Sequence, residues 1–212
     1  MYRFLEKDEE SEQSNGDVCF DSLFAPAKIV IPAPILSGTV VFSKDGLSFG
    51  LYRTDANAPN GYMSNYAPGY SIILDGLVYP SVEHYFQAQK TSDPKAREAI
   101  RMCPSAPDAK LLGQQCKPLP KNWQETKVDV MRRALYAKFS QHKELRALLL
   151  ATGSKQISAL YNTDSYWALG PDGNGKNRMG KLLMETRERL RKEIKNESSQ
   201  NKSLAENAIC VY

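Results

Sequence analysis

A two-residue turn followed by a succession of helix starts constrains the fold of this chain more than any other feature. Asp75-Gly76 separates β-prone runs at residues 71–74 and 77–79, and this pair favours a tight hairpin because both turn residues need positive φ. Helical segments with start or stop residues follow. We therefore predict an α+β fold: a mostly helical single domain with a small antiparallel β-sheet between about residues 39 and 79.

Turn, capping and proline residues mark the expected boundaries of the elements. A first pair of strands is predicted at residues 39–43 and 47–52, around the turn Lys44-Asp45-Gly46. Helices are predicted to start at Ser81, Asp93-Pro94, Ala106-Pro107 (stopping at Gly113), Asn122 with Glu125 as a capping box, His142 (stopping at Gly153) and Arg178 (stopping near Lys195).

Composition divides the chain into three parts. Residues 1–38 are acidic and then proline-containing, which opposes both helix and central strand, so we expect an N-terminal extension. Residues 39–195 are expected to form one folded domain, and residues 196–212 a polar C-terminal tail. The acidic start lacks the basic and apolar pattern of a secretory signal, and no apolar run approaches a membrane span. An intracellular protein without membrane attachment is therefore expected.

Cysteine and histidine usage argues against a metal centre. The four cysteines form no Cys-x-x-Cys pair, and the chain has two histidines. This pattern suits a reducing compartment and disfavours structural zinc or a histidine-built site. We expect no metal and no redox cofactor.

Charge is distributed unevenly along the chain. The net charge is +4, but residues 1–21 carry seven acidic and two basic side chains. Residues 81–150 carry thirteen basic and seven acidic side chains, and residues 176–195 carry eight and three. A basic body suits a phosphorylated ligand or nucleic acid, although such charge runs are also typical of the solvated faces of helices.

Residues 80–90 place a carboxylate, an amide and an amine on one helical stripe. With Ser81 as N-cap, Glu83, Gln87 and Lys90 fall at i, i+4 and i+7. A polar stripe is often a solvated face. The flanking residues are aromatic or heteroaromatic and favour a pocket instead: Tyr79, His84 and Tyr85.

A glycine-rich loop at residues 164–180 leads into the last helix. Such a loop exposes backbone N–H groups at a positive helix end, which suits phosphate or diphosphate. It lacks the spacing of a Walker loop or a dinucleotide fingerprint, so a plain surface connection remains an alternative.

Short phrases along the chain resemble, in order, those of the NADAR or YbiA-like family. They lie at residues 62–66, 79–90, 109–113, 122–123, 130–131, 137–140, 149–153, 164–167 and 177–184. The resemblance spans about residues 47–191. It implies an N-glycosidase acting on a nucleotide-derived riboside, with two substrate classes associated with the family: ADP-ribose on modified guanine in nucleic acid, and early riboflavin-pathway intermediates.

Two positions depart from the family pattern. Ser158-Ala159 stands where a Val-Glu is usual, and residues 167–170 read Trp-Ala-Leu-Gly where Trp-Gly-x-Gly is usual. We therefore assign the catalytic roles to Glu83, Lys90 and Asp164. The expected ligand contacts are Ser64, Asn65, Tyr79, His84, Tyr85, Gln87, Trp123, Trp167, Gly170, Gly175, Asn177 and Gly180.

In the predicted mechanism, Glu83 stabilises an oxocarbenium-like sugar or orients water, and Asp164 holds ribose hydroxyls or shares the acid/base role. Lys90 is either a cation for phosphate or for a leaving-group oxygen, or a nucleophile that captures the opened sugar aldehyde as a Schiff base. The expected ligand is an ADP-ribose-containing nucleotide, as free ligand or on DNA or RNA, and no obligate protein partner is evident. Rival interpretations are a non-catalytic ADP-ribose or nucleic-acid binding module, favoured by Ala159, and a basic scaffold for an acidic partner.

Overall fold

The computed structural model describes residues 47–49, 60–161 and 163–209. Its elements in chain order are β1 (Leu47–Phe49), a 3-10 helix (Gly61–Met63), β2 (Ile72–Leu74), β3 (Leu77–Tyr79), α1 (Val82–Ala88), α2 (Pro94–Arg101), α3 (Ala106–Gln115), α4 (Trp123–Gln141), α5 (Lys143–Ala151), β4 (Ile157–Ala159) and α6 (Arg178–Ile209). This composition confirms the predicted α+β fold, mostly helical with a small antiparallel sheet. None of the described helices is long and apolar enough to cross a membrane.

The β2–β3 hairpin forms as predicted around Asp75-Gly76, whose φ angles are 54° and 76°. The strands pair antiparallel, with Ile73 opposite Val78. Three of their outward-facing backbone groups are bonded to side chains. Gln141 accepts from the Ile73 N–H (2.8 Å) and donates to the Ile73 carbonyl (2.9 Å), and Arg101 donates to the Val78 carbonyl (2.9 Å).

A second, parallel pair of strands was not predicted. β1 pairs with β4 with Leu47 opposite Ile157, so its partner lies more than a hundred residues away in the sequence. The expected partner strand at residues 39–43 lies outside the described residues. Asn177 anchors β4, because its Oδ1 accepts from the Ala159 N–H (3.0 Å) and its Nδ2 donates to the Ile157 carbonyl (2.9 Å).

Helix α1 lies inside the helical layer. Ser81 caps it as predicted, accepting from the His84 N–H, and all seven residues of the helix are buried. It packs against α2, α3 and α4. The interpretation of the polar stripe as a solvated face is therefore wrong, since the stripe residues Glu83 and Gln87 are buried with the rest of α1.

Three predicted helix boundaries need correction. Helix α3 continues past Gly113 to Gln115, because this glycine serves a close helix contact and not a helix end. Asn122 makes no side-chain cap bond, so α4 starts at Trp123 without the expected capping box. Helix α6 continues beyond Lys195 to Ile209, since the following residues include neither proline nor glycine to stop it. The division into residues 1–38, 39–195 and 196–212 stays a prediction.

Candidate active site

A small cleft of about 160 Å³ lies on one side of α1. Residues from α1, α3, α4, the start of α6 and three loops meet there. They are Asn65, Tyr66, Glu83, Phe86, Gln87, Lys90, Lys110, Met131, Tyr161, Asp164, Trp167 and Met179. The cleft is below the usual size of a drug-like ligand site and suits a single sugar ring.

Glu83 is the buried carboxylate of the cleft, with 3% of its surface exposed. Its Oε1 accepts from Gln87 Nε2 (2.6 Å), its Oε2 accepts from Asn65 Nδ2, and the Tyr66 side chain also hydrogen-bonds to it. Burial raises the pKa of Glu83, while the Gln87 hydrogen bond and the charge of Lys90 oppose that rise. The donors hold the carboxylate in one orientation.

Lys90 follows α1 and is half-buried at the cleft. Burial lowers the pKa of its ammonium, and the charge of Glu83 opposes that shift. Its Nζ lies 5.7 Å from the centre of the Phe86 ring. Lys110 of α3 also lines the cleft, and its charge lowers the pKa of Lys90 further. A lysine with a lowered pKa is a more available amine nucleophile.

Asp164 stands opposite α1 on the loop that precedes α6. One oxygen, Oδ1, accepts from the backbone N–H groups of Tyr166 (2.9 Å) and Trp167 (2.8 Å), which fixes the carboxylate in a local turn. Among the described residues, no protein group donates to Oδ2. The Trp167 ring meets Phe86 edge to face at 5.6 Å between centroids. This side of the cleft thus offers a free acceptor beside an aromatic wall.

Lys138 holds the loop that carries Asn65 in place by hydrogen bonds. This buried α4 side chain donates from Nζ to the carbonyls of Tyr62 (2.6 Å) and Ser64 (2.9 Å). Burial lowers the pKa of Lys138 to about 7. The two bonds tie α4 to the loop on whose position the Asn65–Glu83 hydrogen bond depends.

Six residues of the predicted site lie together in the cleft: Asn65, Glu83, Gln87, Lys90, Asp164 and Trp167. Five others support the surrounding structure without lining it. Trp123 packs on Phe86 at 5.2 Å, Ser64 accepts from the Tyr66 N–H (3.1 Å), and Tyr79 meets Tyr85 edge to face. The Tyr85 hydroxyl donates to Asp75 (3.2 Å).

His84, the fifth of these residues, lines a separate depression of about 290 Å³. Its Nε2 donates to the Cys103 carbonyl (3.2 Å) and its Nδ1 accepts from Ser81 (2.8 Å). This arrangement is that of a neutral imidazole, and burial correspondingly lowers the pKa of His84.

At residues 175–179, where the glycine-rich loop leads into α6, the backbone N–H groups are not free for a phosphate. The N–H groups of residues 175–179 all donate to the carbonyls of residues 165–169. Its glycines instead allow close packing: a Cβ at Gly170 would meet Ser165, one at Gly175 the Ala168 carbonyl, and one at Gly180 the Ile157 carbonyl. Direct ligand contact by these glycines, Asn177 and the supporting residues stays a prediction.

Half of the cleft lining escaped the sequence analysis: Tyr66, Phe86, Lys110, Met131, Tyr161 and Met179. All of them except Tyr161 lie inside the family phrases, but nothing local distinguishes them from core residues. Ala159, where the family has an acid, is buried in β4 and does not line the cleft. Among the described residues, no group of three His, Cys, Asp or Glu side chains could hold a metal ion.

Several known proteins are similar to this chain. The NADAR domain matches residues 51–191. The N-glycosidase YbiA of Escherichia coli (strain K12) is 52% identical over 131 residues, which cover 61% of this chain and 81% of that protein. A riboflavin biosynthesis protein of Vibrio vulnificus (strain YJ016) is 36% identical over 140 residues, covering 66% of this chain and 37% of that protein.

A solved structure also resembles this chain. The NMR structure of the E. coli protein YbiA matches with a TM-score of 0.64 and 45% identity, covering 73% of this chain and 90% of that one. The domain match extends over more than half of the sequence. The chain therefore belongs to the NADAR domain family.

Proposed function

We propose that this protein is an N-glycosidase that hydrolyses a ribosyl C–N bond, with ADP-ribosylated guanine in nucleic acid as its substrate. The observation that carries the proposal is the buried Glu83 carboxylate, held by amide donors beside Lys90 in a sugar-sized cleft. Relatives named N-glycosidase support a hydrolase acting on N-glycosyl bonds. The identity of the leaving base goes beyond what they support.

In this mechanism the C–N bond breaks with its electron pair moving to the base nitrogen, and the sugar carbon becomes oxocarbenium-like. The Glu83 carboxylate stabilises that positive charge and orients water. The water oxygen then bonds to the sugar carbon, and the water proton ends on the departing base. Asp164 holds ribose hydroxyls through Oδ2, to which no group among the described residues donates, while Trp167 and Phe86 flank the sugar.

Lys90 offers a covalent variant of the same net hydrolysis. Its neutral amine attacks the anomeric carbon of the sugar, the C–N bond breaks with its electron pair moving to the base nitrogen, and the amine proton ends on the departing base. The sugar ring then opens, which turns the bound sugar into an imine of Lys90. Hydrolysis of the imine returns the amine and the sugar. The lowered pKa of Lys90 supports this role, because a larger fraction of the amine is neutral near pH 7.

A second substrate class is favoured by a different observation. Relatives that include the Vibrio vulnificus protein are named for riboflavin biosynthesis. The corresponding substrate is a pyrimidine riboside phosphate, which shares the ribosyl C–N bond and a phosphate with ADP-ribosylated guanine. The small cleft accommodates the sugar of either substrate, with the rest of the molecule outside it.

The test is to incubate the purified protein separately with ADP-ribosylated DNA and with pyrimidine riboside phosphates, and to follow release of the sugar phosphate by mass spectrometry. Glu83→Gln is expected to reduce turnover by roughly 100-fold or more while affinity changes little. Glu125→Gln is the matched control, because Glu125 is exposed and lies outside the cleft. Binding without release of sugar from either substrate would instead identify a binding module.

A further inference from the structure

Three cationic side chains surround one aromatic ring beside the cleft. Lys127 Nζ lies 4.1 Å from the centre of the Tyr166 ring, Lys176 Nζ 5.3 Å, and Arg178 Cζ 6.0 Å. The cations come from α4, from the glycine-rich loop and from the first residue of α6. Parts of the chain far apart in sequence therefore bring positive charge to one place.

None of these cations is neutralised by a carboxylate in the described part of the protein. The basic groups of α6 downstream form ion pairs, such as Arg189 with Glu193 and Arg191 with Glu188. In the cluster, Lys127 donates only to the neutral Gln124 (2.6 Å). Three like charges around one ring repel each other, so an anion bound among them gains from all three.

The backbone beneath the cluster is fixed. The Lys176 N–H donates to the Ser165 carbonyl (2.7 Å), and the Arg178 N–H donates to the Tyr166 carbonyl (3.4 Å). The loop that carries Tyr166 and the segment that carries two of the cations are thus bonded to each other. Their side chains project from a common base, which limits the entropy cost of gathering them around a ligand.

Each segment that supplies the cluster also lines the cleft. Lys127 lies one helical turn before Met131, Arg178 directly precedes Met179, and Tyr166 directly precedes Trp167. The Tyr166 and Trp167 rings are 5.2 Å apart between centroids. The cluster therefore lies immediately beside the Trp167 wall of the cleft.

We infer that Lys127, Lys176 and Arg178 form an anion subsite that binds the phosphate of the riboside whose sugar occupies the cleft. This inference rests on the proposed function and assigns its phosphate recognition to side chains. Arginine offers a fork of donors to phosphate oxygens, and the lysines add point charges. Because Lys176 and Arg178 are exposed, the attraction is screened by salt.

The inference is tested by calorimetric titration of the intact protein with ribose 5-phosphate, at low and high salt. Lys127→Gln, Lys176→Gln and Arg178→Gln are each expected to raise the Kd about 10-fold, equivalent to one charge-assisted contact. The salt dependence of binding should weaken as well. Lys127→Arg keeps the charge and should restore most of the affinity. Lys95→Gln, which removes an exposed lysine of α2, is the matched control, and melting temperatures establish that each variant folds.

Parallel titrations with an unmodified single-stranded oligonucleotide distinguish the phosphate of a riboside from the phosphates of a nucleic-acid backbone. The inference is overturned if the three variants bind ribose 5-phosphate as tightly as the unsubstituted protein, or if that protein does not bind it. It is equally overturned if the variants lose oligonucleotide affinity alone, which would make the cluster a nucleic-acid backbone contact. These titrations need no turnover, so the glycosidase proposal is judged separately by the release of sugar phosphate.

Discussion

The Glu83 carboxylate is unfavourable for the stability of the fold, although the proposed function requires it. Folding removes its carboxylate from water, and its hydrogen-bond donors offset only part of that loss. Asn65, one of these donors, has a buried Oδ1 to which no group in the described part of the chain donates. Rotation of the Asn65 amide would let this oxygen accept from a neutral amide at position 83.

Glu83→Gln is therefore expected to stabilise the protein above the pKa of Glu83. Burial raises that pKa in the folded state, so the folded protein binds this proton more tightly than the unfolded chain. The stability that protonated Glu83 contributes is fully present below its pKa of about 4.3 in the unfolded chain. This stability is lost as pH rises through the raised pKa of Glu83 in the folded protein. The melting temperature of Glu83→Gln, relative to that of the unsubstituted protein, should rise from pH 4 to pH 8. A pH-independent difference would contradict this.

Lys90 distinguishes covalent from electrostatic catalysis. Lys90→Ala is expected to lose turnover, and borohydride added during the reaction should trap a sugar adduct on the unsubstituted protein but not on this variant. Lys90→Arg keeps the positive charge without the amine and should be equally inactive. If Lys90→Arg is active and no adduct can be trapped, Lys90 is an electrostatic contact only.

At the scale of the elements, the cleft depends on how closely α1 approaches α3 and α4. Gly113 of α3 leaves room for Gln87, whose Oε1 would lie 2.1 Å from a Cβ added at that glycine. From the other side, Lys138 of α4 holds the loop that leads to Asn65. Two residues outside the cleft thus fix both amides that bind Glu83.

Gly113→Ala separates helix propensity from site geometry. Alanine favours an isolated helix by about 1 kcal/mol, but here its Cβ must displace the Gln87 amide and with it the bond to Glu83. We expect kcat to fall by roughly 10-fold or more, with KM less affected. Gln114→Ala, one residue on and exposed, is the control; full activity of Gly113→Ala would refute the proposed contact.

Lys138→Met should expose the pH dependence of a buried amine. The pKa of Lys138 falls from about 10.4 in the unfolded chain to about 7 in the folded protein. Between these values the unfolded chain binds more protons, so stability rises with pH. The Met variant should lack this slope and be destabilised by roughly 2 kcal/mol or more, because two carbonyls lose their donor. Denaturant unfolding at pH 7 and pH 9.5 measures both effects.

Local features were predictable from sequence and long-range ones were not. Asp75-Gly76, Ser81 and Asp93-Pro94 specify their turn or cap through neighbouring residues, and the structure has each of them. The pairing of β1 with β4 depends on residues far apart in the chain. Gly113 has the appearance of a helix stop until the position of Gln87 is known. The cleft itself depends on the packing of α3, α4 and α6. The cleft residues that the sequence identified therefore all lie on α1 or in a loop, and those on α3, α4 and α6 were missed.

At the scale of the whole molecule, two exposed patches of different character lie on the described part of the protein. The basic cluster around Tyr166 lies beside the cleft, whereas the outer face of the hairpin is apolar, with Ile73 59% and Val78 47% exposed. An apolar hairpin with free strand edges would be a template for pairing with another copy.

The side chains of Gln141 and Arg101 occupy those edges, and the consequence is protection against aggregation. Gln141 takes up both the donor and the acceptor of Ile73, so an incoming strand finds neither free. Gln141→Ala combined with Arg101→Ala should leave the fold intact and lower the concentration at which light scattering detects self-association, whereas Gln114→Ala should not. The two side chains would then act as gatekeepers that prevent the apolar hairpin from pairing with a second copy of the protein.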